Sequence, residues 1–453
     1  MASFSFNLKP RSVKKINTKN RVIKTKIPVP QSIKIINELK TFETENAREQ
    51  LPVIWDKAKE SFIYDPYGNK WIDFTSSIFV TNSGHGNSNI IVNLKKILKK
   101  PLLHTYYYPT LIRRDFLKKL IQITPKNLNK AILLSAGTEA TERALKICTI
   151  YGKENNKKFI IAWEGNYHGK TLNAQLLSGQ FEDQKWIQKK NKNIIHLPFP
   201  YPWTNDNKKI SGKELFYNHL KIIKRKIKKL ELISGFFVES FQGWGAIFYP
   251  KDYITELRKW SYNNQSLLIF DEIQAGFYRT GKIFAYQHYG VRADMVICGK
   301  GISGSLPLSA VLGEKKYINL DSNYTSTHGG NPVACAAGLG NLESLSKINM
   351  NILKKKEELF FRILNSWKNK FPNVVRYVFG KGMIYGVLIF KKNTNTLDID
   401  LVNKVCEKAM EKGVFSICTG RGSLKLGPPI TISESALIEG LKVYEDCLGE
   451  MIS

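Results

Sequence analysis

The chain holds 453 residues, 43% of them hydrophobic and 24% charged, the balance of a water-soluble globular protein with room for two or more domains. No apolar run approaches the roughly 20 residues of a membrane span, which excludes a transmembrane reading. Lys and Arg number 69 against 38 Asp and Glu, a net charge of +31. The cations are spread along the chain, and runs such as KIIKRKIKKLEL (221–232) set apolar residues on one helix face and lysines on the other, so the charge reads as solvated helix faces rather than a specific nucleic-acid footprint.

The first 37 residues contain no Asp or Glu. They read as a disordered basic leader, with an organelle transit peptide as the competing reading and no apolar segment to direct secretion. In residues 38–101, ESFIYDPYGNKWIDF (60–74) alternates apolar and polar residues about a PYGN turn, which predicts a β-hairpin packed on a smaller domain. Residues 102–335 form an α/β pattern. Short buried strands (AILLS, KFIIAW, GFFVES, LLIFDE, MVICGK) alternate with helical stretches such as EATERALKICTIYG, implying a parallel sheet covered on both faces, with its ligand at the carboxyl ends of the strands. Residues 336–453 are helix-rich before GMIYGVLIF (382–390) and read as a smaller α+β domain. Cys148, Cys298, Cys335, Cys406, Cys418 and Cys447 show neither CxxC nor metal-ligand spacing; they read as reduced thiols of a cytoplasmic protein, with no metal expected.

Two strand ends carry the chemistry. LLIFDEIQAGFYRTG (267–281) ends a buried strand in Asp271, and ADMVICGKGISG (293–304) sets Lys300 between glycines just past another. Alone, a lysine in so basic a chain is a surface charge and DEIQ an acidic helix cap. Together they suit pyridoxal phosphate (PLP): the amine forms a Schiff base with the aldehyde, and the carboxylate holds a proton on the pyridine nitrogen, making the ring an electron sink. AGT (136–138) opens a helix, where free N–H groups and the dipole favour a phosphate, although Gly-Thr before a helix is also a common cap. Tyr167, in EGNYHGKT (164–171), follows a strand; taken singly it is a packed core aromatic.

In this order, from about Thr41 to the C-terminus, the segments resemble the class III aminotransferases, the PLP family of ornithine, acetylornithine and 4-aminobutyrate aminotransferases. The resemblance implies PLP-dependent transferase fold type I, an α/β large domain with a mostly parallel seven-stranded sheet plus a smaller α+β domain. It implies that Gly137 and Thr138 cradle the cofactor phosphate, that Tyr167 stacks on the ring and that Gln274 hydrogen-bonds the phenolic oxygen. Asp271 then pairs with the ring nitrogen, and Lys300 tethers the cofactor and carries the proton during turnover. NYTSTHGGNPVACAAG (323–338) is similar to the family's TxGGNP segment, by which Thr327 serves the partner's cofactor phosphate in a homodimer.

Departures from the family fall on substrate recognition. The family's arginine three residues before a Pro-Pro pair is Lys425 here, and the glutamate that pairs with it is Trp244, in ESFQGWGA (239–246). A further arginine after the YHG motif is replaced by Lys170, and an aromatic or polar wall residue by Ile78. Lysine grips a carboxylate as a point charge without arginine's bidentate fork, so the pocket is expected to be remodelled. The expected activity moves an amino group from an amine, ω-amino acid or amino acid to a 2-oxo acid, 2-oxoglutarate or pyruvate. Three rivals stand beside it. One is a PLP-dependent amino-acid epimerase, or a lyase of amino-alcohol phosphates or phosphonates, on the same fold. The others are a non-catalytic relative and a charge-driven nucleic-acid binder.

Overall fold

The computed structural model describes residues 6–44, 50–205 and 210–452. They divide into two compact units, one made of Ser88–Gly243 with Ile247–Ile348, the other of Met1–Asn87, Trp244–Ala246 and Asn349–Ser453. The first is wider at both ends than the 102–335 block expected from the strand pattern. Helix Ser88–Leu98 packs along helix Pro332–Leu345, so both belong to it.

A seven-stranded sheet organises this unit. Its spatial order is Lys130–Leu134, Ser309–Gly313, Met295–Cys298, Leu267–Asp271, Ile233–Glu239, Phe159–Trp163 and Ile194–Leu197. Ser309–Gly313 alone runs against its neighbours; the other pairings are parallel. The central strands Leu267–Asp271, Met295–Cys298 and Ile233–Glu239 are buried throughout, which is why they read as continuous apolar runs instead of alternating ones. Helix Gly137–Glu154 lays Ala140, Ala144, Ile147 and Cys148 on one face, and these join Phe237, Ile269 and Ile297 of the sheet in a single core. Because the parallel strands share a direction, their carboxyl ends collect on one edge, and there the helix-opening and strand-closing motifs meet.

The second unit carries the hairpin of Phe62–Tyr64 and Lys70–Asp73, paired antiparallel with Phe62 opposite Ile72. Asp65 closes its turn by accepting the N–H groups of Tyr67 and Asn69, and Gly68 takes φ +85°. Strand Lys70–Asp73 also pairs in parallel with Val414–Phe415, which ties the N-terminal segment to the C-terminal one. A four-stranded antiparallel sheet and the helices Met350–Lys370, Ile399–Glu411 and Glu434–Ile452 complete it.

The disordered leader expected over residues 1–37 does not describe residues 6–37; the first five lie outside the described residues. Ile16–Asn17 and Val22–Ile23 pair as a short hairpin, a helix begins at Pro30, and Phe6, Ile23, Ile27 and Val29 are buried. Arg21 donates to Glu439 at 2.7 Å. The lysine-rich composition hid an apolar residue every few positions, and these anchor the segment while the ammonium groups stay in water. Among the described residues no helix is long and apolar enough to cross a membrane.

Candidate active site

Asp271 closes strand Leu267–Asp271 at 6% exposure, in register with Glu239 on one side and Ile297 on the other. Its Oδ1 accepts the backbone N–H of Ile273 at 3.0 Å, and its Oδ2 lies 2.8 Å from Nδ1 of His168. A carboxylate only accepts, so Nδ1 carries the hydrogen. His168 is itself buried; its backbone N–H donates to Ser178 Oγ at 2.7 Å, and its ring meets Phe237 edge-on.

Lys300 follows strand Met295–Cys298 at the adjacent carboxyl end. Its φ of +44° is left-handed, a conformation that costs a non-glycine residue about 1 kcal/mol and gathers at functional sites. Asn341, fully buried on helix Pro332–Leu345, holds the turn in place by donating to the carbonyls of Gly301 at 2.8 Å and Ile302 at 3.3 Å. Burial pushes the amine's pKa below its ordinary 10.5, and the charges of Asp271 and Glu239 offset part of that fall. An amine so lowered exchanges its proton more readily near neutral pH.

The helix opening beside this sheet edge is crowded. Helix Gly137–Glu154 starts at Gly137, with Glu139 folded back to accept the N–H of Ser135 at 2.9 Å. A Cβ on Gly169, whose φ is +138°, would collide with the Thr138 hydroxyl, and one on Gly137 would come within 2.9 Å of the Ile273 side chain. At both positions a side chain would crowd a neighbouring side chain. Thr138 also shares a 2.7 Å hydrogen bond with the Thr171 hydroxyl. Tyr167 is 43% exposed, with its N–H fixed on Glu239 at 3.0 Å; burial, then the charges of Asp271 and Glu239, push its phenol above the ordinary 10. Gln274 stands beside Glu239: a Cβ on Gly243 would come within 3.2 Å of its Nε2 and 2.9 Å of Glu239 Oε1.

Of the residues expected from sequence, Gly137, Thr138, Tyr167, Asp271, Gln274 and Lys300 therefore share one edge of one sheet. Thr327 is exposed; its carbonyl accepts from His104 at 2.9 Å, and its loop rests on the helix opening through the Ser326 hydroxyl, 2.7 Å from Glu139. Lys170 is exposed beside Gly169. Ile78, Trp244 and Lys425 lie in the second unit. There Ser76, Ser77, Ile78 and Phe79 run at φ 47°, 50°, 57° and 67°, a left-handed stretch with a β-branched residue in it. Lys425 is 4% exposed, with its ammonium 4.6 Å from the centre of the Phe79 ring. The Trp244 carbonyl accepts from Ser423 at 2.6 Å. Ile78, Trp55, Thr75, Ser77, Phe415 and Cys418 line a chamber of about 400 Å³.

His168 and Glu239 went unassigned in the sequence. Glu239 closes a buried strand just as Asp271 does, so a search for every acid at a strand end would have found it, whereas His168 lies in the loop five residues past its strand and is marked only by following Tyr167. Asn341 gave no signal, because an asparagine inside an alanine-rich helix shows its partner only in three dimensions.

This fold and site define a fold type I PLP-dependent enzyme. A buried carboxylate with two donors, a lysine just past the next strand, and a helix opening that a single Cβ would crowd all fit the cofactor. The model of the aminotransferase class-III family matches residues 44–448, and the chain belongs to that family. It is 29% identical to a 4-aminobutyrate aminotransferase of Mycobacterium leprae over 95% of this chain and 98% of that one. An acetylornithine aminotransferase of Clostridium acetobutylicum is 30% identical, over 89% and 98%. An alanine/serine racemase of Pyrococcus horikoshii is 27% identical, over 100% and 98%. In fold, the chain is similar to an (S)-enantioselective omega-transaminase of Thermomicrobium roseum, with a TM-score of 0.83 at 22% identity across 93% of this chain and 98% of that structure.

Proposed function

We propose that this PLP-dependent aminotransferase moves an amino group from an amine, ω-amino acid or amino acid to a 2-oxo acid such as 2-oxoglutarate or pyruvate, with Lys300 as the cofactor lysine and proton carrier. Bound here, the cofactor supplies an aldehyde for the amine and a ring that draws electrons from the substrate carbon. Asp271 holds negative charge at the ring-nitrogen position, kept there by His168 and the Ile273 N–H. Tyr167 would cover one face of the bound ring and Gln274 would meet its phenolic oxygen, while Gly137 and Thr138 would offer backbone N–H groups to the phosphate. Lys300, held by the Asn341-pinned turn, takes and returns the proton. The observation that supports this reading most is the pairing of a left-handed, partly buried lysine with a charged strand-end carboxylate.

Borohydride reduction and peptide mapping test it: the phosphopyridoxyl adduct belongs on Lys300. Lys300→Ala should lose adduct and turnover while its circular dichroism is unchanged; an adduct on another lysine sinks the assignment. In the substrate pocket we assign Lys425 to a substrate carboxylate, supported by its burial and by Trp244 in place of an acid. Lys425→Ala should raise KM for carboxylate-bearing substrates about tenfold, the loss of one charged hydrogen bond, and leave simple amines alone. An equal effect on both classes would make Lys425 structural. Thr327 and Lys170 complete the reading, Thr327 as a donor to the phosphate site of a second subunit and Lys170 as a substrate-side cation. Exposed Leu103, Tyr107, Tyr108 and Leu111 support a homodimer interface beside that loop. The six cysteines all stand as free thiols, which supports a reducing, cytoplasmic setting.

Racemase likeness favours a second reading, epimerisation of an amino acid on the same residues. Mixing enzyme with donor alone separates the two. A transaminase releases one equivalent of oxo product per site, whereas an epimerase returns the inverted amino acid and no oxo product.

A further inference from the structure

Asp271 has a register partner that the reading above does not use. Glu239 closes strand Ile233–Glu239 directly opposite Asp271, so the two side chains leave the sheet on the same side. At 6% exposure it is a buried acid, which demands hydrogen-bond or charge partners. Its Oε2 accepts the N–H of Tyr167 at 3.0 Å. Its Oε1 lies where a side chain on Gly243 would collide, next to Gln274. Its charge acts on the Lys300 amine alongside that of Asp271.

We propose that Glu239 is a positioning residue of the active site, supplying a second negative charge at Lys300 while pinning the backbone of Tyr167. The proposal rests on the roles of Lys300 and Tyr167 given above. A lysine in a partly desolvated site gives up its proton too readily to act as an acid, and nearby carboxylates restore its affinity for it. Asp271 is already committed on both oxygens, to His168 and to the Ile273 N–H, and its charge belongs to the ring nitrogen. Glu239 adds to the charge that Asp271 already places near the lysine, and does so from a carboxylate not bound to His168.

Tyr167 is bonded through its backbone N–H to Glu239, His168 is bonded to Asp271, and Cys298 is buried at the end of the strand before the lysine with its thiol pushed up by burial. The carboxylate of Glu272 is turned away, onto the N–H groups of Ala285 and Tyr286.

Glu239→Gln preserves the outline and removes the charge. In apoprotein, the pH dependence of Lys300 modification by trinitrobenzenesulfonate, read by peptide mapping, reports the amine's hold on its proton with no cofactor present. The midpoint is expected to fall by about one pH unit in Glu239→Gln, and Glu239→Asp should recover at least half of it. In holoenzyme, the visible band of the lysine-bound cofactor should titrate with a midpoint displaced the same way. Glu239→Met fills the same volume and serves if the amide variant does not fold. Unmoved midpoints in a folded charge-removing variant overturn the proposal, as does a Glu239→Asp that recovers nothing. If mapping of wild-type holoenzyme finds the cofactor on another lysine, the reading of Lys300 fails, while the apoprotein titration still decides the charge of Glu239.

Discussion

A buried carboxylate needs donors to replace the water it has lost, and Asp271 finds them in His168 and the Ile273 N–H. His168 therefore acts through Asp271 rather than on substrate. His168→Leu removes one charged hydrogen bond, worth about 1.5–3 kcal/mol. Turnover should drop tenfold or more, and the cofactor should leave faster on dialysis, with the far-ultraviolet spectrum unchanged. Retention and rate both at wild-type values would show that Asp271 needs no such support. At Lys300 the left-handed backbone carries a similar message: strain of this kind persists only where Asn341 and the flanking glycines over-determine it.

Among the secondary elements, the acid next to Asp271 shows how the strand end is closed off. Glu272 is fully buried and accepts from the N–H groups of Ala285 and Tyr286, both at 2.8 Å, at the start of the short helix Ala285–Tyr289. Burial nevertheless outweighs these bonds and pushes its pKa from 4.5 up to about 7. A folded-state pKa above the unfolded one means that the contribution to stability is whole below about pH 4.5, fades as pH rises, and is gone above about pH 7. Thermal unfolding between pH 5 and about 8 should show this decline in the wild type, and Glu272→Gln should flatten it. A slope unchanged by the substitution would place the acid's titration elsewhere.

For the molecule as a whole, a net charge of +31 is a self-repulsion distributed over the surface. Raising sodium chloride from low salt to about 0.2 M shortens the screening length below 10 Å and should raise the melting temperature. Any association with duplex DNA at low salt should disappear over the same range, because it would rest on charge alone. Sedimentation should give a particle of two 51.8 kDa chains. A monomer would remove the shared-site role assigned to Thr327.

Chemistry was legible in the sequence wherever it sits in a short contiguous motif. LLIFDE and MVICGK are buried strands that end in charged residues, and burial on both faces leaves an unbroken apolar run that marks such a strand without any knowledge of its neighbours. The same local logic exposed the Gly-Thr helix opening and the PYGN hairpin, and the order of these motifs carries the resemblance to the family. What only the tertiary structure decided is pairing across the chain. Glu239 becomes the register partner of Asp271, His168 becomes its donor, and Asn341 the clamp on the turn after Lys300. Cys406 and Cys418, remote from any shared motif, come into thiol contact. The basic N-terminal segment is ordered by apolar residues whose partners lie in other segments of its unit. Composition and periodicity report what one segment can bury or donate, whereas a hydrogen bond needs two groups within about 3 Å, and that closeness exists only once the sheet has set its register.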